Sequence, residues 1–242
     1  LSKKAPDFWS WRKGVFRFTS KQTALIASKD IAPFRSLLNQ DGLSINDNDN
    51  YFLSLEDLQQ LVQKIEREKG TEDPLLASLY ARMGEIYQKR LEKGEAQDYQ
   101  KEQELEIQYL QKGVAIQKKL GLKTDLPNSL NKLAFLYNSQ GRFSEAEALY
   151  LQSLALTKEL LGDNHPDVAI CLNNLAFLYY FQGQYQKVEP LLLEALALKK
   201  RLLGDNHFDV FLSLNNLAFL YKSQERYQES EALYQQSLAL IK

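Results

Sequence analysis

Three side chains in this 242-residue sequence are of types that carry out covalent or acid–base chemistry. Cys171 is the only thiol, and His165 and His207 are the two imidazoles, 42 positions apart in matching segments. A nucleophile needs an adjacent base, and histidines in two copies of one segment do not converge on a common centre. The sequence also lacks a G-x-x-x-x-G-K-[ST] phosphate loop. We therefore predict no enzyme activity, no cofactor, and a packed thiol at Cys171.

A run of alternating Asn and Asp at residues 46–50 has the composition of a calcium loop. Such a loop needs a central glycine and a bidentate glutamate at its twelfth position, and the run does not supply both. We therefore predict no metal site.

A further set of residues has the chemistry of peptide recognition. Asparagine amides both donate and accept hydrogen bonds, which suits the backbone of an extended peptide, and a neighbouring phenylalanine adds apolar contact area. Asparagine inside a helix costs roughly 0.6 kcal/mol relative to alanine, so paired asparagines need a reason. The predicted peptide-binding residues are Asn131, Lys132, Phe135, Asn173, Asn174, Phe177, Tyr180, Asn215, Asn216, Phe219 and Lys222, with Arg82 and Lys89 nearer the N-terminus.

The basic members of this set, Lys132, Lys222, Arg82 and Lys89, favour an acidic partner, although Glu85 argues against it locally. A structural alternative stays open for the other members. The asparagines would then bridge neighbouring helices, and the phenylalanines would pack against the next repeat.

These residues recur at a fixed period. The sequence Leu-Asn-Asn-Leu-Ala-Phe-Leu-Tyr stands at 172–179 and again at 214–221, and 130–137 differs only at Lys132. Self-similarity at 42 residues indicates stacked helical repeats. Within one copy, Leu172, Leu175, Ala176 and Tyr179 share a helix face and form the expected packing side. Asn173, Asn174 and Phe177 lie on the other side, which we expect to meet water.

Helix signals divide the chain into segments. Residues 1–53 are predicted to be a partly irregular, aromatic-rich cap or linker, and 54–73 a helix leading into the array. Residues 74–124 are predicted to be a diverged repeat, its insertion either lengthening the helices or forming a disordered bulge. Regular repeats are expected at 125–166, 167–208 and 209–242. Gly70, Gly162 and Gly204 should end helices, and Pro166 should begin one.

Beyond the first motif, each copy continues with Gly-x-Tyr, Glu-Ala-Glu-x-Leu-Tyr and Leu-Gly-Asp-Asn-His-Pro-Asp-Val, best preserved at 141–185. Over residues 75–242 the sequence resembles the tetratricopeptide repeats of the kinesin light chain family, including bacterial members. The resemblance implies an all-α, right-handed α-solenoid of antiparallel helix pairs with a concave peptide-binding groove. It also implies peptide contact at Lys132, Asn174 and Asn216. Glu225 and Phe208 depart from the turn glycine and the connector proline.

The N-terminal residues 5–18 resemble a segment that precedes the repeats in bacterial STAND-type NTPases. The alternatives to an interaction scaffold are therefore the sensor arm of such an NTPase, and a structural repeat that associates with itself through its ends. The first residue is not Met and the last copy stops before its connector, so we expect a piece of a longer protein.

Composition narrows the partners. The net charge of −1 and the lack of a basic stripe argue against nucleic acid, and no apolar run is long enough to span a membrane. A single cysteine and the lack of a signal peptide favour a cytoplasmic location. The expected partner is a protein or peptide.

Overall fold

The computed structural model describes residues 54–240, and all regular structure within that range is α-helical. The predicted cap at residues 1–53 lies outside the described residues. The chain divides into two compact units, of which one contains α1 and the other contains α2 to α9. The helices are α1 (Leu55–Lys69), α2 (Pro74–Lys93), α3 (Tyr99–Lys119), α4 (Leu126–Ser139), α5 (Phe143–Leu161), α6 (Pro166–Phe181), α7 (Tyr185–Leu203), α8 (Phe208–Ser223) and α9 (Tyr227–Ala239).

Helix α1 begins with a capping box. The Ser54 hydroxyl accepts the Asp57 backbone N–H at 3.1 Å, and the Asp57 carboxylate accepts the Ser54 N–H at 2.8 Å. Two backbone donors at the helix start are thereby satisfied. Gly70 closes the helix with φ 88°, as predicted.

The helices of the other unit pack in consecutive pairs, α2 with α3, α4 with α5, α6 with α7 and α8 with α9. The second helix of each pair also packs against the first helix of the next. This arrangement is the predicted solenoid of helix pairs. Its core contains the predicted packing side, since Leu172, Leu175, Ala176 and Tyr179 are all buried. No helix among residues 54–240 is long and apolar enough to cross a membrane.

Connectors between repeats follow the expected cap chemistry. Gly162 and Gly204 end α5 and α7 with φ 83° and 85°. The Nδ1 atoms of His165 and His207 then accept the backbone N–H two residues on, at 3.2 and 3.1 Å, so both histidines are helix caps. In the turn inside the last repeat, Glu225 has φ 63°, the left-handed conformation that glycine adopts in the two preceding repeats.

The diverged repeat has long helices. Helices α2 and α3 span 20 and 21 residues, whereas α4 and α5 span 14 and 19. The insertion therefore lengthens both helices. They approach closely, because a Cβ at Gly113 would lie 3.2 Å from the Ala77 carbonyl oxygen and one at Gly84 3.1 Å from Leu110 Cγ.

Candidate functional site

Two lines of side chains run across the first helices α4, α6 and α8. We call Lys132, Asn174 and Asn216 the polar row, and Phe135, Phe177, Tyr180 and Phe219 the aromatic row. Residues three and four apart share a helix face, so the two rows are adjacent. The 42-residue period repeats this face on each first helix, and stacking places the copies side by side.

The aromatic row is continuous. The rings of Phe135 and Phe177 stack with centroids 6.2 Å apart, and those of Tyr180 and Phe219 lie 5.5 Å apart. Phe177 packs against Phe135, Tyr180 and Phe219 together. The Tyr180 hydroxyl is 2.9 Å from that of Ser223 on α8. Ring contacts therefore link all three first helices.

The expectation that Asn173, Asn174 and Phe177 meet water is wrong. Asn173 is 2% exposed, and Asn174 and Phe177 are each 3% exposed. The reason is the position of α6 in the array, because it has a first helix on both sides. The side opposite its helix partner is therefore covered by neighbouring side chains such as Phe135 and Phe219.

The first asparagine of each copy faces a neighbouring helix. Asn131 Nδ2 donates to Cys171 Sγ on α6 at 3.7 Å, and the Ser237 hydroxyl on α9 donates to Asn215 Oδ1 at 3.0 Å. These contacts correspond to the structural alternative for Asn131 and Asn215. Their contact with a peptide stays a prediction.

Asn173, the equivalent residue of the middle copy, has neither contact. Both its amide oxygen and its amide nitrogen are buried without a hydrogen-bond partner among the described residues. Ala195 stands where Ser237 stands one period later, so no hydroxyl is offered from the second helix. Ser213, the equivalent of Cys171, instead accepts a hydrogen bond from Lys199 Nζ at 3.0 Å.

Two more amides on the row side of the first helices are buried with an unpartnered oxygen. Asn174 belongs to the polar row, and Asn138 lies one turn beyond Phe135, at the position that Tyr180 occupies in the next copy. Buried amide oxygens are normally hydrogen-bonded, so each such atom marks a place where water or a ligand donates.

The charge at the N-terminal end of the rows is largely compensated. Lys132 Nζ is 2.8 Å from Glu85 Oε1, and Arg82 Nη1 is 3.2 Å from Glu85 Oε2. Burial raises the pKa of Glu85, but the Lys132 and Arg82 charges outweigh burial and leave that pKa below its usual value. Lys89 and Lys222 are exposed. The centre of the rows is therefore close to neutral, with basic residues at its ends.

One contributor is absent from the sequence-based set. Phe181 follows Phe177 by one turn, contacts its ring edge-on at 4.6 Å, and is 46% exposed. The i, i+4 spacing from Phe177 was the available signal. The repeat pattern provided no reason to place Phe181 at the edge of the row, because its equivalents in the other copies are serines.

The remaining chemical candidates have structural environments. Cys171 is buried, with its Sγ 3.5 Å from Thr157 Oγ1 and 3.8 Å from Ser153 Oγ. The prediction of a packed thiol is thus confirmed. Within residues 54–240, no three His, Cys, Asp or Glu side chains are grouped so as to hold a metal ion.

Sequence comparison agrees with this architecture. Residues 125–201 and 189–242 match the family described as the tetratricopeptide repeat. This chain belongs to the tetratricopeptide repeat family. None of the curated proteins is significantly similar to it.

Solved structures show the same fold. The nearly identical TPR-like repeats of a Podosopora anserina putative kinesin light chain have a TM-score of 0.64 and 23% identity, covering 88% of this chain and 93% of theirs. A single-site variant of the same repeats gives 0.65, 22%, 88% and 93%. BtubC (BKLC) of P. vanneervenii gives a TM-score of 0.63 and 19% identity, covering 91% of this chain and 90% of that one. The predicted kinesin-light-chain-like solenoid is confirmed. At these identities the likeness concerns the fold.

Proposed function

We propose that this chain is a non-catalytic interaction scaffold whose tetratricopeptide repeats bind an extended peptide segment of a protein partner along the polar and aromatic rows. Repeats of this fold generally mediate protein–protein interaction. The observation that carries the proposal is the unpartnered, buried amide oxygen of Asn174 beside a continuous row of rings. A peptide N–H would satisfy the amide, and the peptide's apolar side chains would contact the rings.

The partner's charge follows from the ends of the rows. Because Lys132 is paired with Glu85, an acidic preference would depend on Lys89, Lys222 and the remaining charge of Arg82. We propose that acidic residues of the partner meet these ends rather than the centre. Affinity for an acidic peptide would then fall with added salt, since exposed charges are screened.

The test is selection of binders from a displayed peptide library with the full chain, followed by affinity measurement on variants. Asn174→Ala with Asn216→Ala should weaken the selected peptides by roughly 5- to 100-fold, since each lost hydrogen bond contributes about 0.5–1.5 kcal/mol. The matched control is Gln186→Ala with Gln228→Ala. These two exposed amides lie one period apart on the second helices, away from both rows.

Equal affinity of wild type and the Asn174→Ala, Asn216→Ala variant would contradict the proposal. A loss shared by the control variant would indicate general destabilisation instead. Circular dichroism on each variant separates the two outcomes.

A further inference from the structure

We infer that the aromatic row has a ligand within the same chain, namely residues 8–16 of the aromatic-rich N-terminus. This segment contains Phe8, Trp9, Trp11 and Phe16. It lies outside the described residues, and the inference comes from its sequence and from the surface that residues 54–240 present. The inference uses the surface of the proposed function, and it names what that surface holds before a partner arrives.

Spacing is the first match. Trp9 and Trp11 are two positions apart, so in an extended chain both side chains point to one face about 6.6 Å apart. The ring-to-ring steps of the aromatic row are 6.2 Å for Phe135 and Phe177 and 5.5 Å for Tyr180 and Phe219. An extended segment lying along the row would therefore set one indole beside each ring pair. Offset or edge-on aromatic contacts form at centroid distances of about 4.5–7 Å.

Hydrogen-bonding chemistry is the second match. The unpartnered atoms beside the row, Asn138 Oδ1 and Asn174 Oδ1, are both acceptors. An indole N–H is a donor only, and so are the side chains of Arg12 and Lys13 within the segment. The segment thus offers the group type that these amides lack.

Charge is compatible as well. Residues 8–16 carry two cations, Arg12 and Lys13, and no acid. Aromatic faces attract cations, and Glu85 already compensates Lys132 at the near end of the rows. The exposed Lys222 lies at the far end, so the two cations would be placed toward α4 rather than toward α8.

The connecting chain is long enough. Residue 16 precedes residue 54 by 38 positions, which spans up to about 125 Å when extended. The four helix pairs stack at roughly 8–10 Å per packed helix layer, so the segment reaches every first helix. Connection in cis also gives an effective concentration on the order of millimolar, which makes weak contacts sufficient.

The experiment uses the full chain and its own tryptophans. Trp9 and Trp11 are the only two in the sequence, so tryptophan fluorescence excited beyond the tyrosine absorption reports on this segment alone. We expect wild-type emission to be blue-shifted, with acrylamide quenching several-fold weaker than for N-acetyl-tryptophanamide. Phe181→Ser with Asn174→Ala should raise the quenching constant several-fold toward that reference. Phe181 is half exposed, so its replacement perturbs the fold little.

The matched control is again Gln186→Ala with Gln228→Ala, which should leave quenching unchanged. A second measurement uses the Trp9→Ser, Trp11→Ser chain and a synthetic peptide of residues 7–18. The fluorescence anisotropy of this peptide should show saturable binding to that variant and several-fold weaker binding to the wild type, whose own segment competes.

Wild-type tryptophans that quench like the free reference would overturn the inference. So would tryptophans that are protected equally in wild type and in the Phe181→Ser, Asn174→Ala variant, because the segment would then pack elsewhere, for example as a cap on the first repeat. Neither result touches the proposed function, which is tested by the library peptides. Conversely, protected tryptophans with no selected peptide would contradict the proposed function alone.

Discussion

The unpartnered amide of Asn173 makes a prediction about stability that the repeat itself supplies. Ala195→Ser would place a hydroxyl where Ser237 stands one period later, and Ser237 donates to Asn215 at 3.0 Å. The position accommodates serine, because Ser153, Ala195 and Ser237 are all at most 1% exposed in their respective repeats. The new hydroxyl is therefore expected to donate to Asn173 Oδ1.

The expected gain follows from hydrogen-bond energetics. A buried polar group without a partner costs about 1–3 kcal/mol, and a hydrogen bond contributes about 0.5–1.5 kcal/mol net. Only one of the two unpartnered atoms of Asn173 is satisfied, and a hydroxyl must also be buried. We expect the free energy of unfolding to rise by about 1 kcal/mol, or roughly 0.3 M in the urea midpoint for a slope near 3 kcal/mol/M.

The assay is urea denaturation followed by circular dichroism, arranged as a double-mutant cycle with Asn173→Ala. In that background the serine hydroxyl loses its acceptor, so Ala195→Ser should be neutral or destabilising, with a coupling of about 1 kcal/mol. Ser237→Ala is the matched control and should destabilise by about 1 kcal/mol. If Ala195→Ser had the same effect with and without the Asn173 amide, the assignment of an unsatisfied amide would be refuted.

Three further predictions concern single groups. Burial lowers the pKa of Lys199 despite nearby Asp209, so the charged amine weakens folding at neutral pH and wild-type stability rises as pH increases through that lowered pKa; Lys199→Met should be more stable at neutral pH and lack this rise in pH-dependent urea titrations. Glu225→Gly should raise thermal stability by about 1 kcal/mol, whereas Glu225→Ala should not, because only glycine relieves the left-handed strain. Lys132→Ala should raise the lowered pKa of Glu85, and the stability that this pair contributes above the carboxylate's ordinary pKa, lost as pH falls through the folded pKa, should shrink in acid titrations.

Each of these has a contradicting result. A Lys199→Met chain with an unchanged alkaline profile would show that the buried amine does not titrate there. Equal stabilities for the Gly and Ala variants at 225 would remove the strain argument. An acid profile insensitive to Lys132→Ala would show that the ion pair with Glu85 contributes little in solution.

The candidate site was predictable only in part. The period placed Lys132, Asn174 and Asn216 in equivalent positions, and the structure sets Phe135, Phe177 and Phe219 beside them. The period did not distinguish the two asparagines of each copy, because they are one residue apart on the same helix. The contacts of Asn131 with Cys171 and of Asn215 with Ser237 depend on the rotation of each helix against its neighbours.

By itself the sequence determined the repeat, its helix boundaries and its packing side. Stacking demands the same apolar residue types at the same spacing in every copy, and caps act over three or four residues, so both are legible in one dimension. Tertiary structure alone decided exposure and pairing. The ion pair of Lys132 with Glu85 joins residues 47 positions apart, and Phe177 is covered because α6 has a first helix on either side. Burial of a helix face depends on its neighbours, and local sequence does not state how many there are.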